Sequence, residues 1–130
     1  MLLAAYVIGL AVIAFSPTSI GDGSDFGDEL RLLGLGWVSY EQLESAANVI
    51  LFIPFGLLIT FIAGARRWWI VAIGLGLAAA AIEVGQALFL PGRIATIDDV
   101  LANTAGGLIG IGIACLALLA ARPTSAGARA

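Results

Sequence analysis

The residues of this chain with chemistry to offer are few, and they sit where an apolar sequence tolerates them least. Asn48 stands near the head of one apolar run, Glu83 and Gln86 near the end of the next. Arg93, Asp98, Asp99 and Asn103 follow in and just beyond the last connection. Such side chains cost free energy in hydrocarbon and normally face a bundle interior or a wet cavity. Glu83 and Gln86 are i,i+3 neighbours, and Asp99 and Asn103 are i,i+4 neighbours, so each pair shares a helix face. Glu83 lies fifteen residues beyond Trp68, about 22 Å along a helix axis at 1.5 Å per residue. In a hydrocarbon core of about 30 Å that is the outer third. Asn48 and Asn103 fall within about a turn of the same end of their own runs, so the set is expected to converge at one level. Arg93, held near the membrane by the tight-turn pair Pro91-Gly92, is the natural counter-charge for Glu83 or an aspartate.

Three kinds of chemistry are open to this set. It can be a polar network that latches helices together. It can form a pocket, open to the outer leaflet or the exterior, that takes a lipid headgroup or another polar ligand. It can be a catalytic centre with Glu83 or Asp99 as acid or base. The last is the least favoured, because no nucleophile accompanies the carboxylates and a general base needs a raised pKa and a positioned water. The chain has no His, the usual general base and zinc ligand. A carboxylate triplet alone is weak grounds for a metal, and no cofactor is expected.

The elements that position these residues are apolar. Of 130 residues 61% are hydrophobic and only 12% charged, against about 45–50% and about 25% in soluble domains. Mean hydropathy is +1.06. A 13.3 kDa soluble domain has too little interior for so much apolar surface. The expected fold is all-α, an integral membrane bundle of about four transmembrane helices in a single domain over residues 1–122. The helices are expected at about 2–15, 46–65, 68–90 and 100–121, with an acidic loop at 16–45 and a disordered tail at 123–130. The first run is short for a bilayer. It lacks a basic leader and a clear cleavage site, and reads as a retained helix. Leu30 to Leu43, with Trp37 and Tyr40 as anchors, reads as an interfacial segment. Pro54 is expected to kink its helix, either as a packing device or to free carbonyls toward the cavity. Cys115 reads as a small hydrophobe.

Charge gives the orientation. Arg66, Arg67, Arg122 and Arg129 have no acid among them. Asp22, Asp25, Asp28, Glu29, Glu41, Glu44, Asp98 and Asp99 face only Arg31 and Arg93. The positive-inside rule then sets both ends of the chain in the cytoplasm, with Trp68 and Trp69 in the inner aromatic belt. A net charge of −3 argues against nucleic acid as a partner. Gly106 and Gly110, in GxxxG spacing, with Gly74, Ala78, Ala81 and Gly85, read as helix-packing faces. A homodimer seam is the lesser alternative.

The motifs Asn48-x5-Pro54-x-Gly56, Glu83-x2-Gln86-x6-Arg93 and Asp98-Asp99-x3-Asn103-Thr104-x-Gly106, with Gly110, resemble the VanZ-like family over about residues 46–112. That family is named for a small bacterial membrane protein giving low-level resistance to teicoplanin, a lipoglycopeptide that acts on cell-wall precursors outside the membrane. Most members have no assigned molecular activity. The resemblance implies a multi-pass protein of the bacterial plasma membrane and a functional cluster of Glu83, Gln86, Arg93, Asp99 and Asn103. The expected partner is a membrane lipid or lipid-linked cell-wall precursor. The first reading is a non-enzymatic envelope protein that lowers lipoglycopeptide susceptibility. The alternatives are an enzyme on a lipid-linked substrate and a purely structural subunit.

Overall fold

A computed structural model describes residues 1–15, 31–34, 36–90 and 96–121. The described residues form four α-helices: α1 (Leu2–Ala14), α2 (Tyr40–Ala63), α3 (Trp68–Phe89) and α4 (Ile97–Ala120). A 3-10 turn, Ala65–Arg67, joins α2 to α3. Three of these segments are long and apolar enough to cross a membrane, and α1 is a shorter apolar helix. At 13 residues α1 is about 20 Å long. This is a membrane protein. Its surface agrees: Ile62, Leu77, Leu88, Leu101 and Leu116 are among many large apolar side chains on the outside of the bundle.

Two helices start earlier than their apolar runs. α2 begins at Tyr40 because Ser39 and Gln42 close a capping box, the Ser39 hydroxyl accepting from Gln42 N and Gln42 Oε1 accepting from Ser39 N. That satisfies two backbone donors at the open end of the helix, so its first two turns are polar. α4 begins at Ile97 with Thr96 as its N-cap.

α2 and α4 make the largest contact in the bundle. They run parallel, with Gly106 of α4 against the Val49 carbonyl of α2 and Gly110 against that of Ile53. Gly56 of α2 meets the Gly107 carbonyl of α4 in the same way. A Cβ built at Gly56, Gly106 or Gly110 would come within 2.1 Å of the facing carbonyl oxygen. Helices in lipid associate by such close backbone approach, since lipid tails are as apolar as the side chains. The GxxxG pair therefore serves a seam within the chain.

α3 lays a buried stripe, Val71, Leu75, Ala79, Glu83 and Gln86, along this pair. Val71 and Leu75 pack on Ile111, with Cys115 beside them as a small apolar filler. Ala79 packs on Phe52 and Leu10 of α1. α1 runs parallel to α3: Leu10 meets Ala79, Phe15 lies over Gly85, and Gln86 Nε2 donates to the Ala14 carbonyl at 2.8 Å. This register brings Met1 to about the level of the start of α3. Pro54 leaves α2 unbroken, but it removes the donor that the Ile50 carbonyl would meet. The neighbouring Leu51 carbonyl accepts a hydrogen bond from the Tyr6 hydroxyl. That bond ties α1 to α2.

Candidate functional site

The site is built on the start of α4. An N-cap residue offers its side-chain oxygen to a backbone N–H of the first turn, and Thr96 Oγ1 accepts from Asp99 N at 3.1 Å. In a capping box the residue at Asp99's position would reach back to the Thr96 N–H. An aspartate does otherwise here. Its Oδ2 accepts from the Thr96 hydroxyl at 2.7 Å and its Oδ1 from Asn48 Nδ2 of α2 at 2.8 Å. The Thr96 N–H is instead met by Glu83 Oε1 of α3 at 2.7 Å. The result is one chain of hydrogen bonds, Asn48–Asp99–Thr96–Glu83, that ties α2, α4 and α3 together. Asp99 also lies in the first turn of α4, where the helix dipole favours negative charge.

Glu83 is 6% exposed, Asn48 and Asp99 half-buried. One turn farther in along α4, Asn103 is 5% exposed and its Oδ1 has no hydrogen-bond partner among the described residues. One turn farther out along α3, Gln86 is buried and turned toward α1. Asp98 is exposed on the first turn of α4, because the residue next to Asp99 points about 100° around the helix. Arg93, its Pro91-Gly92 turn, the loop over 16–30 and the tail lie outside the described residues, so the pairing expected of Arg93 does too. Trp37 is exposed.

Thr96 is the residue that sequence reasoning missed, although it links both carboxylates. Thr96-Ile97-Asp98-Asp99 is an [ST]-x-x-[DE] pattern ahead of an apolar run, the sequence signature of a helix start. Among the described residues no three His, Cys, Asp or Glu side chains converge as a metal-binding group would. Carboxylate oxygens and the open Asn103 oxygen make the cluster rich in acceptors, suited to receive ammonium or hydroxyl donors.

A sequence profile of the VanZ/LLP1 family matches residues 3–119. The chain belongs to this family. The match takes in α1 and the acidic loop, beyond the half of the chain that carries the motifs. In this VanZ/LLP1 chain the motif residues Asn48, Glu83 and Asp99 are the members of the hydrogen-bonded chain, and Gly56, Gly106 and Gly110 are the glycines of the α2–α4 seam. No curated protein and no solved structure matches the chain.

Proposed function

We propose that this VanZ/LLP1 protein is a multi-pass protein of the bacterial plasma membrane whose polar cluster faces outward. There it binds the headgroup of a lipid or lipid-linked wall precursor and limits the access of lipoglycopeptides such as teicoplanin. The observation that carries this reading is Asn103 Oδ1, buried one turn along α4 from Asp99 and without a hydrogen-bond partner among the described residues. An unmet buried acceptor costs about 1–3 kcal/mol, and a donor-bearing headgroup or a water it carries would meet it. Orientation is supported by charge: the described acids Glu41, Glu44, Asp98 and Asp99 gather at the end where α2 and α4 start, and Arg66 and Arg67 at the other. By the positive-inside rule the arginine end is cytoplasmic, with both ends of the chain.

A second reading, a structural latch, is favoured by the completeness of the Asn48–Asp99–Thr96–Glu83 chain. Native mass spectrometry of protein extracted with its own membrane lipids separates the two. The headgroup reading expects a retained lipid adduct that Asn103→Ala loses while its melting temperature holds. Absence of any adduct, with Glu83→Gln or Asp99→Asn lowering only folding yield, would favour the latch.

A further inference from the structure

At the end of the bundle away from the polar cluster, the turn from α2 into α3 carries charge that no acid among the described residues balances. Arg66 and Arg67 are both exposed there. The sequence has no Asp or Glu between Glu44 and Glu83, and none after Asp99. Arg67 gives one donor to the Ala63 carbonyl at 3.3 Å, and a guanidinium has five. Gly64 bends the chain here at φ +83, a conformation that side chains with a Cβ rarely adopt. The 3-10 turn then leads straight into α3. Between this turn and Leu118 of α4 lies an open cleft of about 410 Å³, lined by Ala63, Gly64, Ala65 and both arginines.

We propose that this cleft binds the phosphate of an anionic glycerophospholipid. The two guanidinium groups supply the charge and a fork geometry that matches phosphate oxygens. Ala63 and Leu118 supply an apolar wall for the glycerol backbone and the first methylenes. The acyl chains then run along the exposed apolar faces of α3 and α4. Trp68 and Trp69, 51% and 53% exposed immediately beyond the turn, are the residue type that sits at headgroup level. Basic recesses between membrane helices are suited to this class of headgroup. The site is separate from the Asn103 cluster and stands or falls without it.

The test is a native mass spectrometry titration of the full chain in neutral detergent with phosphatidylglycerol, phosphatidylcholine and inorganic phosphate. Phosphatidylglycerol is expected to bind at least about tenfold tighter than phosphatidylcholine, and millimolar inorganic phosphate to leave it bound. At about 1 kcal/mol per arginine near such a headgroup, Arg66→Gln with Arg67→Gln weakens it roughly thirtyfold. Because that double variant also removes charges that orient the chain, Leu118→Trp serves as the second. It fills the cleft, keeps both arginines and is expected to abolish the preference for phosphatidylglycerol. Equal binding of the two lipids overturns the proposal, as does displacement by inorganic phosphate. So does undiminished phosphatidylglycerol binding by Leu118→Trp.

Discussion

Replacing Gly106 by alanine adds one methyl group, and the structure fixes where it goes. That Cβ would stand 2.1 Å from the Val49 carbonyl oxygen and 2.9 Å from its carbon and Cα. A close carbon–oxygen contact is roughly 3.3 Å, so α2 and α4 must part by about 1 Å. The obstructing atoms are backbone, which has no rotamer to yield. A gap of 0.5–1 Å forfeits about a quarter to a half of the dispersion well for each facing atom pair, and the loss runs along the largest contact in the bundle. Overpacking of this kind costs about 1–3 kcal/mol. With a rigid obstruction, at least about 2 kcal/mol is expected for Gly106→Ala, and as much for Gly110→Ala, whose Cβ also meets Leu57 N at 2.7 Å. Gly74 and Gly76 are internal controls, with nothing within 4 Å of their Cβ positions. There alanine gains helix propensity, up to about 1 kcal/mol. The assay is reversible unfolding in mixed micelles, read by circular dichroism. If Gly106→Ala unfolds like Gly74→Ala, the α2–α4 seam is wrong.

Thr96→Val should cost about 1–2 kcal/mol through the lost N-cap, and Thr96→Ser should restore most of it in the same assay. Gln86→Leu removes the link from α3 to the end of α1. An interhelical hydrogen bond in membranes is worth about 0.6–2 kcal/mol, so hydrogen exchange in α1 should quicken roughly three- to thirtyfold while α4 is unchanged. On a Cys115→Ala background, a membrane-impermeant thiol reagent applied from outside should label Asp25→Cys and leave Ser125→Cys untouched; the reverse pattern refutes the orientation.

The helices were legible because apolar runs of spanning length have few other uses. Their polar beginnings were not legible from hydropathy, since Glu41, Gln42 and Glu44 dilute the first turns of α2. The capping residues Ser39 and Thr96 were the signal there. Shared faces drew Glu83 and Asp99 into one neighbourhood, but spacing within a helix says nothing of which helix comes opposite. Gln86 therefore reaches α1, away from the carboxylates, and Thr96 joins two acids that i,i+4 reasoning treats separately. In the same way Gly106 and Gly110 announce a close approach without naming Val49 and Ile53 as the partners. Only the crossing of α2 with α4 decides that.

If the buried cluster opens outward as a binding pocket, Asn103 is reachable from the exterior. Asn103→Cys on the Cys115→Ala background, in right-side-out vesicles, would be exposed to a small membrane-impermeant thiol reagent, with Asp25→Cys as the positive control. Labelling from outside is expected, slower than at the control and slower still when lipid-linked wall precursor is added. Contradiction would be a cysteine at 103 that stays unlabelled from both sides while the control reacts, since a sealed cluster only holds helices together.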